Sequence, residues 1–282
     1  MTLWQTTRYS IDLSRPRIMG IVNITPDSFS GDGQAGDLRA QVARCERLIG
    51  EGAHILDIGG ESTRPGSQPV PLDEELARVL PLVREVVKLG VPVSVDTGKP
   101  EVMAAVLDLG ADIINDVWAL RTPGAKEVVA RHATCGVCLM HMHGGDPQTM
   151  QRTPMEDDAV PQVLLFLQQT AQALQGQGVH KNRIVLDPGI GFGKTVAQNF
   201  ALLARQRELL AAGYPLLVGW SRKSALGAAL GDSDNPEHRI TASVAAALLA
   251  IERGASIVRV HDVAATAQAV KIWLAMNKET TL

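Results

Sequence analysis

Short apolar runs alternate with longer amphipathic segments from one end of the chain to the other. The short runs cover residues 17–22, 54–58, 91–95, 112–115, 136–140, 183–186, 215–218 and 256–260. Each is rich in Val, Ile or Leu, the pattern of a parallel strand covered on both faces. Helical periodicity fills the intervals at 37–51, 72–89, 100–109, 124–133, 157–177, 197–211 and 237–253, and again at 264–276. Gly52, Gly90, Gly110 and Gly254 stand between helical segments and the runs that follow, where glycine supplies a left-handed helix stop. Eight such units predict a single (β/α)8 TIM barrel over residues 1–282, with residues 2–13 as a short N-terminal cap on its bottom. A doubly wound open sheet would need a topological switch point, which eight equivalent units do not offer.

Composition agrees with that architecture. A chain of 282 residues is close to the ~250 of a complete barrel. Apolar residues make up 45% and aromatic ones only 4%, so the core must rest on aliphatic side chains. A net charge of −3 gives no electrostatic footprint for nucleic acid or an anionic membrane. No signal peptide is evident, no apolar run approaches the roughly 20 residues of a membrane span, and three cysteines form no disulfide framework. These features predict a cytoplasmic protein. Cys135 and Cys138 form a Cys-x-x-Cys, but it opens a predicted strand and lacks a second pair for zinc, so core thiols are expected.

Chemistry gathers where each run ends. Asn23 follows the first run, Glu61, Thr63 and Arg64 the second, and Asp96 the third. Asn115 and Asp116 close the fourth, His141 and His143 the fifth, and Asp187 the sixth. The seventh leads to Lys223 and Ser224, and the eighth carries Arg259 and His261. Barrel enzymes build their sites at that rim. Two decoys lie among these segments. Pro188 to Thr195 nearly matches a phosphate-binding loop ending in Lys194, but Pro stands in place of the first Gly and Asp187 precedes it. His141-x-His143 resembles a hydrolase metal pair, yet the further ligands are not evident on later strands.

Asp96, Asn115 and Asp187 suit a ligand edge rich in N–H donors, such as an amino-substituted heterocycle. Lys223 can donate to the opposite edge. Arg259 and His261 supply positive charge on the last strand, where barrels often hold phosphate. Asn23 and Thr63 offer hard oxygens to a divalent cation, and Ser224 at a helix start suits a carboxylate. The rim thus divides into heterocycle, diphosphate and small-anion subsites.

The segments Ile21–Ser30, Asp57–Gly66, Ser94–Thr97, Ile114–Asp116, Met140–Met142, Leu186–Lys194, Gly219–Ser224 and Arg259–Val263 closely resemble the dihydropteroate synthases. The match runs in order over about residues 17 to 265. It implies condensation of 6-hydroxymethyl-7,8-dihydropterin diphosphate with p-aminobenzoate, with Mg2+ assistance. The resemblance implies that Asp96, Asn115, Met140, Asp187, Phe192, Lys223 and Arg259 bind the pterin. Asn23, Thr63, Arg259 and His261 would hold the diphosphate, with Asn23 the magnesium ligand. Phe29, Arg64, Pro65, Lys223 and Ser224 would form the aminobenzoate pocket. Asp96, Lys223, Arg259 and His261 would be the catalytic groups, and a homodimer through the outer helices is implied. A methyltetrahydrofolate–corrinoid methyltransferase shares the acidic pterin contacts but needs no diphosphate or aminobenzoate loops. A silent pterin-binding paralogue would usually have lost some of these residues. Two departures stand out. Gly31 follows Phe29-Ser30 where the family has Asp, leaving Asp27 and Asp32 as alternatives, and Gly98 replaces the usual Ser, which should loosen its loop.

Overall fold

The computed structural model describes residues 2–24, 34–63, 67–144, 149–150, 155–231 and 235–279. Phe29, Arg64 and Pro65, with the Asp27 and Asp32 alternatives, lie outside them. The chain opens with an antiparallel hairpin, β1 (Leu3–Gln5) and β2 (Ser10–Asp12). It then alternates: β3 (Arg17–Asn23), α1 (Gln34–Glu51), β4 (Ile55–Gly59), α2 (Leu72–Val86), β5 (Val93–Asp96), α3 (Pro100–Asp108), β6 (Ile113–Asp116) and α4 (Ala125–Arg131). The second half runs β7 (Gly136–Met140), α5 (Ala159–Gln175), β8 (Ile184–Asp187), α6 (Val196–Ala204), α7 (Gln206–Leu209) and β9 (Leu216–Val218). It ends with α8 (Ser224–Leu230), α9 (Ile240–Glu252), β10 (Ala255–Val260) and α10 (Val263–Glu279). Strands β3 to β10 pair in parallel, and β10 closes on β3: the (β/α)8 barrel that the alternation predicts.

Side chains sort by strand parity. Outward residues such as Leu56, Ile58, Val95, Ile114 and Leu139 pack beneath the helices. Inward residues Met19, Ile55, Ile113, Cys138, Val185, Leu217 and Ile257 fill the barrel floor. The hairpin plugs that floor from below. Trp4, Ile11 and Leu13 join the same cluster, and Trp4 Nε1 donates to the Arg183 carbonyl at 2.9 Å. Residues 2–13 therefore act as the expected cap. All three cysteines are free and buried, Cys138 in the floor and Cys135 in the outer layer.

Gly52, Gly90, Gly110 and Gly254 all adopt positive φ at helix ends, as predicted. Two helical intervals depart from expectation, and the segment read as 237–253 opens as a 3-10 turn over Pro236–Arg239 before α9. The segment read as 197–211 breaks at Arg205 into α6, α7 and a closing 3-10 turn. The break turns Gln206 inward, where its Nε2 donates to the Ala250 carbonyl at 2.8 Å. A tertiary hydrogen bond there outweighs continued helical propensity.

Candidate active site

Two residues beyond the apolar floor, the next inward positions on the same strands are Asp57, Asn115, Met140, Asp187 and Arg259. Asn23, Gly59, Asp96 and Asn115 also stand in register across β3 to β6. Pleat and register thus gather the strand residues of the polar rim on the inward face above the floor, while Thr63, Lys223, Ser224 and His261 lie past the strand ends.

Its centre is an ion-pair hub. Arg259 Nε donates to Asp57 Oδ2 at 2.6 Å, and Arg259 Nη2 donates to Asp96 Oδ2 at 2.8 Å. Asn115 Nδ2 donates to the same Asp57 oxygen at 3.2 Å. Asp57 is fully buried, and among the described residues its Oδ1 accepts no hydrogen bond. A buried acceptor of that kind suits a donor brought by a ligand or water. In the sequence Asp57 stands only as the first residue of the segment 57–66, with no role of its own. The available signal was parity: it lies two residues beyond the inward Ile55.

Burial drives the electrostatics of this layer. It pushes the Asp96 carboxyl up to about 7; Arg259 pulls it back, while Asp57 pushes it further up. Burial also raises Asp187 to about 6, against the pull of the Gly189 amide, which donates to Asp187 Oδ1 at 2.7 Å, and of Lys223. Burial works against the Arg259 charge, but Asp57 and Asp96 outweigh it and keep the guanidinium protonated.

The opposite wall comes from the β8 and β9 loops. Lys223 caps α8, and its ammonium sits 4.3 Å from the centroid of the Phe192 ring, a cation–π contact. Gly191, at φ +81°, lets the lysine pass: a Cβ there would stand 3.2 Å from Lys223 Cδ. Arg222 precedes the lysine in the left-handed region, at φ 59°. Its guanidinium bonds Asp262 at 2.6 and 3.1 Å, and its amide donates to Ser243 Oγ at 2.9 Å. These bonds hold a turn that a non-glycine residue seldom adopts. Phe192 joins Val117, Met140, Met142 and Met150 in a small apolar cluster, with Trp118 packed on its edge. Ser224 begins α8 and borders an open cleft of about 280 Å³ shared with Gly191, Lys194 and Asn199.

His261 lies two residues beyond Arg259 on the same face. Ser221 Oγ lies 2.9 Å from its Nδ1 and accepts its backbone amide at 3.0 Å, which fixes the ring. Asn23 ends β3, with its Oδ1 3.8 Å from where a Cβ on Gly59 would stand. Thr63 is half-buried on the loop after β4. The structure thus places Asp96, Asn115 and Arg259 in one hub around Asp57, and joins Lys223 to Phe192. Asn23, Thr63 and His261 sit on the strand-end side of that hub.

Two expectations change. Gly98, expected to loosen its loop, leaves room for the Trp118 indole. A Cβ at that position would meet Trp118 Cε3 at 2.4 Å, so the indole already occupies the space a larger residue would need. Glu61, read only as part of a rim motif, pairs with Lys99, which also bonds the buried Glu75. Glu75 in turn accepts from Thr97 Oγ1 at 2.6 Å, tying the β4 loop to the residue after Asp96.

Comparison with known proteins gives this geometry its family. A profile of the family described as "Pterin binding enzyme" matches residues 19–261. The chain belongs to the pterin-binding enzymes. Its similarity to members of that family extends from end to end. It is 50% identical over 280 residues to a dihydropteroate synthase of Neisseria meningitidis serogroup B, covering 98% of each chain. A solved dihydropteroate synthase of Burkholderia cenocepacia, complexed with 7,8-dihydropteroate, superposes with a TM-score of 0.89 at 49% identity. That match covers 99% of this chain and 98% of the other. A Xanthomonas albilineans dihydropteroate synthase with 4-aminobenzoic acid matches with a TM-score of 0.86 at 48% identity over 95% of each chain. The residues matched by the pterin-binding enzyme profile include Asp57, Asp96, Asn115, Asp187 and Arg259.

Proposed function

We infer that this chain is a transferase of folate biosynthesis with dihydropteroate synthase activity. It joins 6-hydroxymethyl-7,8-dihydropterin diphosphate to p-aminobenzoate, releasing 7,8-dihydropteroate and diphosphate. The observation that carries the reading is the buried layer of Asp96, Asn115 and Asp187 facing Lys223, in a chain about half identical over its whole length to dihydropteroate synthases.

Asp187 and Asn115 match the N–H-rich edge of the pterin, and Lys223 the carbonyl edge. Met140 and Phe192 supply the apolar wall, and Arg259 stacks on the ring. The C–O bond between the pterin methylene and the diphosphate breaks first. Arg259, His261 and Thr63 meet the charge that develops on the leaving oxygens, as preorganised donors do. Asp96, beside the ring, stabilises the cation left behind. The neutral amine then forms the C–N bond and loses a proton to solvent, so no buried base is required. Ser224 and Lys223 receive the aminobenzoate, together with Phe29, Arg64 and Pro65.

The donor set bears on the metal. Among the described residues there is no group of three or more His, Cys, Asp or Glu able to hold one. The amide oxygen of Asn23 fits a magnesium ion that arrives with the diphosphate and keeps most of its waters. When bound, such an ion neutralises charge on the leaving group.

Leu249 on α9 and Ile272 and Met276 on α10 are exposed apolar residues on the outer helices, which suits a homodimer through that face. Free, buried thiols suit a reducing cytoplasm. No helix of the described residues is long and apolar enough to cross a membrane. A coupled assay with dihydropterin diphosphate and p-aminobenzoate tests the activity. Diphosphate and dihydropteroate should appear in equal amounts; neither appearing would overturn the reading.

A further inference from the structure

The loop from Pro188 to Thr195 imitates a phosphate-binding loop, but its lysine does not face the rim. Lys194 is 3% exposed, and its ammonium is turned into the junction of two loops. It donates to the Gly189 carbonyl at 2.9 Å and the Phe192 carbonyl at 3.0 Å, and it meets His141 Nδ1 at 2.9 Å. The His141 carbonyl lies further off, at 3.4 Å. Three short contacts match the three N–H groups of an ammonium. All three partners are neutral, so this is a hydrogen-bonded clamp rather than an ion pair. Burial lowers the lysine to about 7, and burial with the Lys194 charge lowers His141 to about 2, so the imidazole stays neutral.

The clamp joins two rim loops. The carbonyl of Gly189 follows Asp187 by two residues, and the carbonyl of Phe192 belongs to the residue whose ring lies beneath Lys223. His141 belongs to the loop after β7, and its amide donates to the Asp187 carbonyl at 2.9 Å. Its ring packs edge-on against Phe166, with centroids 4.9 Å apart. The loops approach so closely that a Cβ on Gly189 would stand 1.8 Å from the His141 carbonyl oxygen.

We propose that Lys194 is a positioning residue for the pterin subsite: through Gly189, Phe192 and His141 it sets Asp187 and Phe192 at the distance the ring requires. The proposal rests on the dihydropteroate synthase reading for the identity of the ligand. It predicts a loss confined to the pterin. Lys194→Met keeps the aliphatic arm and removes every donor. It should raise the KM for dihydropterin diphosphate about tenfold, the effect of losing one or two net hydrogen bonds. The KM for p-aminobenzoate and kcat at saturation should stay within about twofold. A milder break keeps the chain foldable: His141→Leu leaves both carbonyl bonds in place and should raise the pterin KM about threefold. The double variant should cost less than the product of the two, since both act on one clamp.

Equal losses in both KM values, a fall in kcat with the pterin KM unchanged, or strict additivity would overturn the proposal. Equilibrium binding of 6-hydroxymethyl-7,8-dihydropterin separates the two readings. If that pterin binds the wild type and is weakened by Lys194→Met, while no dihydropteroate forms, the clamp stands and the synthase reading falls. If dihydropteroate forms and the pterin affinity is unchanged by the substitution, the clamp falls alone.

Discussion

Replacing Asp57 by Asn removes a charge from the centre of the rim while keeping its volume. Breaking a buried pair from one side costs about 3–5 kcal/mol when the remaining charge is left without a partner. Two features reduce that figure here. The Arg259 side chain keeps 22% of its exposure, and its second bond, to Asp96 at 2.8 Å, survives. The introduced amide can also accept one of the two hydrogen bonds that Asp57 Oδ2 now receives. About 2 kcal/mol remains, equivalent to about a thirtyfold fall in kcat/KM if the displaced guanidinium no longer meets the transition state. The opposite sign has a physical basis too: without Asp57, Arg259 is less neutralised and would attract diphosphate more strongly. Initial rates with both substrates varied, alongside urea denaturation, distinguish the two. A kcat/KM for the pterin substrate at or above wild type would refute the idea that Asp57 holds Arg259 in its working place.

Three further outcomes are expected. Asp96 and Asp187 are held above the usual carboxylate range, at about 7 and about 6, chiefly by burial. Between about pH 4, where an unfolded Asp titrates, and pH 7, the native state therefore binds more protons, and the ligand-free protein loses stability as pH rises. Pterin affinity should rise over the same interval as the acceptors ionise; Asp187→Asn should flatten both curves, and parallel curves for variant and wild type would exclude the assignment. Gly98→Ser should cost about 1–3 kcal/mol by forcing Trp118 aside, and Trp118→Ala should relieve most of that cost. Additivity of the two changes within about 0.5 kcal/mol by chemical denaturation would show that they do not meet. Chelation of divalent cations should raise the KM for dihydropterin diphosphate and leave the affinity for the pterin lacking diphosphate unchanged; an equal loss for both would remove the metal from the diphosphate subsite.

The barrel can be read from the chain because strands buried on both faces leave short aliphatic runs, each ending where a polar residue reaches the rim. Asp96, Asn115, Asp187 and Arg259 are visible as such endings. Asp57 is harder to find. It sits inside an apolar run, and only knowing that Ile55 points inward shows that Asp57 must do so as well. Lys194 misleads for a different reason: its local pattern imitates a phosphate loop, while its partner His141 comes from 53 residues earlier in the chain. The break at Arg205 has no local signal, because it depends on a hydrogen bond between Gln206 and Ala250. Trp118 shows the same limit, since its meaning depends on a glycine from the neighbouring loop.

The hairpin that plugs the barrel floor also constrains the order of assembly. The indole of Trp4 bonds a carbonyl 179 residues later in the chain, and its apolar neighbours reach from Met19 to Ile257. Contacts of such long sequence separation carry a large loop-closure cost and form late. During synthesis the hairpin must therefore wait, with its tryptophan unshielded, until β10 has emerged. Nascent chains halted before β10 should be protease-sensitive in the β1–β2 hairpin and prone to associate through it.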